Sequence, residues 1–178
     1  EGDAFTVTVT INPEPVVADQ TETVCSDEVT GVTFGTDDDT PTVASYNITN
    51  INSNGLQASA GTPATGSGLA ANVIADDAWT NTTALPVDVV YTVVPVATTT
   101  GCEGDAFTVT VTINPEPVVA DQDLTGTPIC SDETVGVDFT SSTSVAAATY
   151  NVTALNLNNL TVSRSEEHTS ELQSRETI

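Results

Sequence analysis

The chain has 178 residues, with 25 Asp and Glu against two Lys and Arg, one His, three Cys and no Met, and its formal net charge is -23. Both basic residues and the histidine lie in the last fifteen positions, so residues 1–163 contain no cationic side chain. Such a surface cannot neutralise phosphates or an anionic membrane surface, and it offers no histidine for acid–base catalysis. No apolar run approaches the ~18 residues of a membrane helix. Nucleic-acid partners and membrane insertion are therefore not expected.

Strands are predicted along most of the chain. Apolar and polar residues alternate strictly over residues 5–12, which is the period of a half-buried strand. In residues 87–95 one face carries Val87, Val89, Tyr91 and Val93 and the other is also partly apolar, which predicts a central strand. Segments 35–42 and 61–68 are rich in turn-forming residues and are predicted to be surface loops. The predicted strands, in chain order, are 5–12, 29–34, 43–50, 56–60, 70–75, 87–95 and 107–114.

An internal repeat organises the sequence. Residues 1–20 recur unchanged at 103–122, and later parts of the first copy recur with substitutions as far as Ser163. Asn-Pro-Glu-Pro follows the strand in each copy, at 12–15 and 114–117, where prolines end sheet pairing and stiffen the exit. The predicted divisions are 1–13 as the last strand of a preceding repeat, 14–117 as a complete repeat, 118–163 as the truncated N-terminal half of a second repeat, and 164–178 as a non-native tail, disordered or a short helix.

The repeat has the features of an immunoglobulin-like β-sandwich, because about seven short strands lie between proline-rich boundaries about 100 residues apart. The fold class predicted is all-β, with immunoglobulin-like tandem repeats of which one is complete and two are partial. Segments 24–34, 45–49, 89–117 and 129–139 resemble the PKD-like repeats of large secreted and cell-surface proteins of Bacteroidota. One departure is that Ile48 and Val152 stand where such repeats often carry the tryptophan of a Tyr-x-Trp sequence. The resemblance implies a surface stalk or adhesin.

The C-terminal segment differs from the repeats. Repeat similarity ends at Ser163, and residues 164–176 resemble the translation of a sequencing-library adapter. The alternative is a genuine charged C-terminal helix or tail. In either case the segment is left out of functional argument.

The positions of the three cysteines in the repeats leave one candidate disulfide pair. Cys25 opens the complete repeat, Cys102 precedes its final strand, and Cys130 is the copy of Cys25. A disulfide between Cys25 and Cys102 is predicted, which would leave Cys130 unpaired by truncation and would suit an extracellular compartment. Reduced thiols and a Cys102 to Cys130 bridge are the alternatives.

Two groups of side chains are candidates for binding. Asp37, Asp38 and Asp39 lie in one predicted loop and could supply oxygen ligands to calcium, although their spacing matches neither an EF-hand loop nor a glycine-rich calcium repeat. The alternative is a solvated acidic loop. Trp79 with Tyr46 and Tyr91 could form a platform on which a sugar stacks, although a core position is the simpler interpretation for Tyr91.

These observations favour a non-catalytic structural or adhesive repeat module, a stalk or adhesin of a large secreted or cell-surface protein. No catalytic residue and no resident cofactor are predicted. The alternatives are a carbohydrate-binding accessory module of a secreted glycan-degrading enzyme, and an adhesin repeat stiffened by calcium. The expected partners are neighbouring repeats of the same protein, surface glycans and other cell-surface proteins.

Overall fold

The computed structural model describes residues 2–35, 41–123, 125–137, 139 and 144–159. Its strands lie between residues 20 and 114, and the described part of the chain contains no helix, which confirms the all-β prediction. The strands are β1 (Gln20–Cys25), β2 (Val43–Asn52), β3 (Gln57–Ala60), β4 (Gly66–Leu69), β5 (Ala78–Thr80), β6 (Val87–Ala97) and β7 (Phe107–Asn114).

The strands form two sheets. The larger sheet has the order β1-β7-β6-β2-β4, and the smaller one pairs β3 with β5. All neighbours are antiparallel except β1 and β7, which run parallel with Gln20 opposite Val109 and Cys25 opposite Asn114. The end of the sheet at which β7 begins is called the upper end below, and the end at which it finishes is the lower end.

The core is built on the hairpin of β6 and β7. Every second residue is buried from Val89 to Ala97 in β6 and from Phe107 to Ile113 in β7, so the two inward faces present rows of apolar side chains. The predicted face of β6 is confirmed, since Val89, Tyr91 and Val93 are fully buried and Val87 is partly buried against the core. Its prediction as a central strand is also confirmed, because β6 is the third of five strands.

Three aromatic rings close the upper part of this core. Phe34 lies 4.9 Å from Tyr46 and 5.8 Å from Phe107 between ring centroids, and Tyr46 lies 6.3 Å from Phe107. These separations are in the range of favourable tilted and edge-to-face aromatic contacts. The rings therefore join β7 to β2 and to the segment before β2.

Three predicted strands, 5–12, 29–34 and 70–75, are wrong, and three observed ones were missed. Residues 29–34 form a single bridge, between Val29 and Ala78, and residues 71–76 form turns. Phe34 and Ile74 are nevertheless buried, so their apolar pattern reflects anchoring in the core rather than strand pairing. The missed strands are β1, β4 and β5. These strands are short or polar, and they form because a partner strand offers hydrogen bonds beside them.

Residues 2–13 form no strand, although residues 5–12 are identical in sequence to β7. Phe5 is 89 % exposed and Ile11 88 %, whereas Phe107 and Ile113 in β7 are buried. The predicted strand at 5–12 is therefore not formed. The same sequence is a core strand only where β1 and β6 lie on either side of it.

The described part of the second copy repeats local details of the first without its sheet. Asp132 has the left-handed backbone of Asp27, and the Tyr150 hydroxyl donates to the Phe139 carbonyl as Tyr46 does to Gly35. No strand forms in the described residues after Asn114. The partner that β2 uses is β6, and the second copy ends before its own β6. Residues 164–178, with the predicted tail, lie outside the described residues.

Substitution of Gly104 tests how the chain enters the sandwich. A Cβ atom at this position would collide with the carbonyl oxygen of Pro15, a backbone atom that cannot rotate away. We expect Gly104→Ala to lower the free energy of unfolding by about 1–3 kcal/mol, as overpacking does. Urea unfolding measures the change, with Gly2→Ala as the control because no atom lies within 4 Å of its added Cβ. Equal midpoints for the two variants would contradict the packing of Pro15 on the upper end.

Candidate functional site

A chain of hydrogen bonds crosses the middle of the core. The Trp79 indole Nε1–H donates to the Tyr91 hydroxyl at 3.0 Å, and that hydroxyl donates to Asp77 Oδ2 at 2.9 Å. Tyr91 comes from β6 and Trp79 from β5, whereas Asp77 lies in the turn immediately before β5. The three side chains thus join the smaller sheet to the larger one.

Asp77 is a buried carboxyl group without a cation. Its residue is 2 % exposed, and residues 1–163 contain no Lys, Arg or His that could pair with it. Burial raises the pKa of Asp77 to about 6, while the hydrogen bond from Tyr91 acts in the opposite direction. Burial also raises the pKa of Tyr91, so its hydroxyl stays protonated and keeps donating at neutral pH.

Gly61 makes room for this carboxyl group. Its φ is +72°, and a Cβ there would collide with Asp77 Oδ1 and with the backbone of Asp76 and Asp77. Glycine is therefore required where the loop after β3 passes close to Asp76 and Asp77. The site is closed by packed backbone and is not open to a substrate.

This arrangement is structural and offers no catalytic group. Trp79 is 5 % exposed, and Tyr46 and Tyr91 are buried as well. The prediction of Tyr91 as a core residue is confirmed. Because a sugar can stack only on an exposed ring, these three residues cannot form the platform required by the carbohydrate-binding alternative.

A second buried polar centre lies at the lower end, around Asn81. Its Nδ2 donates to the carbonyls of Ile113 at 2.8 Å and Leu85 at 3.0 Å, and its Oδ1 accepts from Thr83. Its backbone N–H donates to Ser26 Oγ, and its carbonyl accepts from the N–H of Glu116 at 3.0 Å.

Asn81 therefore fixes the end of β7, the turn after β1 and the exit of the chain to one point. Sequence reasoning did not single it out for this role. An Asn-Thr-Thr segment between two strands is indistinguishable in sequence from an ordinary polar turn.

The predicted Cys25–Cys102 disulfide is not formed. All three cysteines are free, with Cys25 and Cys130 exposed. Cys25 pairs with Asn114 at the lower end, whereas Cys102 lies before β7 at the upper end. The eight residues of β7 separate these ends by about 23 Å, and a disulfide needs Cα atoms within about 7 Å. The predicted disulfide is wrong because of the register of β1 on β7, which is not evident from sequence.

The described residues do not test the acidic candidates. Asp37, Asp38 and Asp39 lie outside those residues, so calcium binding by this loop stays a prediction. No group of three or more His, Cys, Asp or Glu side chains suited to a metal occurs in the described part. A shallow surface depression beside the turns before β5 is lined by Val29, Asn72, Val73, Ala75 and Asp76, of which Asp76 alone is titratable.

Comparison with known families decides the relationship of this chain. The family model of the PKD-like domain matches residues 22–117, which are more than half of the sequence. The chain belongs to the PKD-like domain family. PKD-like domains are immunoglobulin-like β-sandwiches, generally non-catalytic and typically extracellular. No curated protein and no solved structure matches the chain. In the described part, no helix is long and apolar enough to span a membrane.

The buried carboxyl group of the PKD-like domain gives a pH dependence of stability. The pKa of Asp77 is about 6 in the folded protein against 3.8 for the free group, so the folded state binds more protons between these values. Stability should therefore fall as pH rises from about 4 to 6, by about 3 kcal/mol for this group. Asp77→Asn keeps an acceptor for Tyr91 and should remove this part of the decline. Thermal unfolding from pH 4 to 7, with Asp3→Asn as control, measures it. A variant with the slope of the parent chain would contradict the assignment.

The lower-end centre is tested by Asn81→Ala. In this variant the Ile113 carbonyl and the Thr83 N–H lose the Asn81 side chain, and the Leu85 carbonyl keeps only the bond from Thr83 Oγ1, so we expect a loss of about 2–4 kcal/mol in the free energy of unfolding. The control is Asn72→Ala at an exposed turn, which should change stability by less than about 0.5 kcal/mol. Chemical denaturation compares the two, and similar values would show that Asn81 is not the point that fixes the lower end.

Proposed function

We propose that this PKD-like domain is a structural and adhesive spacer, one of a series of tandem repeats that project part of a large secreted or cell-surface protein away from the cell. The proposal rests on the path of the chain through the sandwich. Pro15 is buried against Gly104 at the upper end, where β1 begins, and Asn114 leaves β7 at the lower end. A chain that enters at one end and leaves at the other extends an array along the strand direction with each repeat.

The junction sequence supports extension rather than collapse. Asn-Pro-Glu-Pro stands before and after the complete repeat, and proline-rich connections of this kind are semi-rigid spacers. Repeats without any cation repel one another, more strongly at low salt, which also favours an extended array and keeps it soluble.

The adhesive part of the proposal concerns the outer surfaces of the repeats. Surface glycans and other cell-surface proteins are the partners we propose, in addition to neighbouring repeats. A glycan partner would have to be bound by polar groups of loops, since Trp79, Tyr46 and Tyr91 are buried. A dedicated carbohydrate-binding module is for this reason the weaker alternative.

Small-angle X-ray scattering on chains that carry one, two and three copies of residues 14–117 tests the spacer function. The 11 residues of β6 correspond to about 35 Å, so the maximum dimension should grow by about that length with each copy. The matched control replaces Pro115 and Pro117 with glycine, which should shorten the array by loosening its junctions. A maximum dimension that grows much more slowly than the number of copies would contradict a spacer.

A further inference from the structure

The structure shows the junction between consecutive repeats in two halves. Residues 12–20 and 114–122 have the same sequence, Asn-Pro-Glu-Pro-Val-Val-Ala-Asp-Gln. The second stretch is seen leaving the complete sandwich, and the first is seen entering it. Together they describe both sides of one junction.

The exit half is fixed to the lower end. The N–H of Glu116 donates to the Asn81 carbonyl at 3.0 Å, and the N–H of Ser26 donates to the Asn114 carbonyl at 2.9 Å. The Glu116 carboxyl group lies beside Asp27 and Ser26, and burial and the neighbouring Asp27 raise its pKa. The chain is therefore held to the sandwich as far as Glu116.

The entry half is fixed to the upper end. Pro15 is fully buried, and its carbonyl lies so close to Gly104 that no side chain fits there. Two further contacts follow: Val17 is buried, and the Asp19 carboxylate accepts from the N–H of Thr108 at 2.6 Å. The chain is thus held to the sandwich from Pro15 onward.

These halves leave no free residue between repeats. Glu116 is bound to one repeat, and Pro117, the next residue, is the copy of Pro15, which packs on the repeat that it enters. The segment between β6 and β7 of the following repeat must then face the lower end of the preceding one. In this chain Pro117 is exposed because the second copy ends before its β6 and β7.

Each of these facing surfaces carries a cysteine. Cys25 is exposed at the lower end, opposite Asn114. Cys102 lies in the segment between β6 and β7, two residues before Gly104, and is partly exposed. Cys25 immediately precedes Ser26, which bonds to Asn114, and Cys102 lies two residues before Gly104, which packs on Pro15. The whole length of β7 separates Cys25 from Cys102 within one repeat.

We propose that Cys25 of each repeat forms a disulfide with the Cys102 copy of the next repeat, so that a covalent bond crosses every junction of the array. This inference rests on the tandem arrangement in the proposed function. Cys130, the copy of Cys25, would pair with the Cys102 copy of the repeat that follows its own. Cys102 would pair with the Cys25 copy of the preceding repeat.

The reaction needs an oxidant. Both S–H bonds are lost, an S–S bond forms, and two protons and two electrons pass to a disulfide such as oxidised glutathione, which becomes two thiols. Non-covalent attraction offers little help at this junction. Asp27 and Glu116 on one face would meet Glu103 and Asp105 on the other, and none of these repeats contains a cation. A disulfide would hold two faces that repel each other electrostatically.

In the test, a copy of residues 60–117 is joined directly after Ser163 in place of residues 164–178. The added copy completes the second repeat. After purification under reducing conditions and exposure to oxidised glutathione, non-reducing peptide mapping should recover Cys25 linked to the added copy of Cys102, with Cys102 and Cys130 still free. The number of alkylatable thiols should fall from four to two. Cys25→Ser should leave the other three thiols free, and Cys130→Ser should leave the cross-link intact.

Two results would overturn the proposal: four free thiols in the extended chain, or a bond between Cys130 and the added cysteine, which lie within one repeat. The 178-residue chain supplies a second measurement that does not depend on folding of the extension. As a monomer under the same oxidant it should retain three alkylatable thiols, and a Cys25–Cys102 bond would overturn the proposal. Scattering on reduced arrays tests the spacer separately, so failure of the disulfide does not count against that function.

Discussion

The pairing of β7 with a strand on each side is the interaction on which the rest of this structure depends. β6 bonds to it in antiparallel and β1 in parallel orientation, and its four inward side chains are buried. Residues 5–12 have the same sequence but neither neighbour, and their apolar side chains are exposed. Alternation of Val and Thr supplies a face that can be buried, and strand formation follows only when adjacent strands satisfy the backbone hydrogen bonds. The second copy shows the same dependence, since its turns form without a sheet.

The parallel register of β1 on β7 also determines how repeats connect. Because the two strands run in the same direction, the chain enters beside the start of β7 and exits at its end, and opposite ends of the sandwich become the points of attachment. Polar groups then fix each attachment, with Asn81 at the exit and Asp19 near the entry. The spacer function and the disulfide between repeats that we propose both rest on this geometry. Membership of the PKD-like domain family agrees with a non-catalytic role, and the buried Asp77, Tyr91 and Trp79 contribute to the core rather than to chemistry.

Sequence alone predicted three elements that carry a strong period of two, although residues 5–12 carry the same pattern and form no strand. The long strands β2, β6 and β7 and the burial of Tyr91 follow from that pattern, as does the all-β class. The sequence pattern did not predict β4, because its Gly-Ser-Gly-Leu sequence has no strand preference and forms a strand by pairing with β2. It wrongly predicted a strand at residues 29–34, where apolar residues are anchored in the core without strand pairing. The cysteine pairing failed for a different reason. Linear order placed Cys25 and Cys102 at the two ends of one repeat, but their distance depends on strand register, which is set by contacts between residues about 90 positions apart.

Hydrogen exchange of backbone amides tests most directly whether the flanked β7 organises the domain. In the 178-residue chain, the amides of β6 and β7 should be the slowest to exchange, those of residues 5–12 should exchange at nearly the unprotected rate, and so should those of residues 144–159. Completing the second repeat with a copy of residues 60–117 should then protect the amides of residues 144–159, because this segment would gain its own β6 as a partner. Protection of residues 5–12 comparable to that of β7, or of residues 144–159 comparable to that of β2 before the extension, would contradict the account.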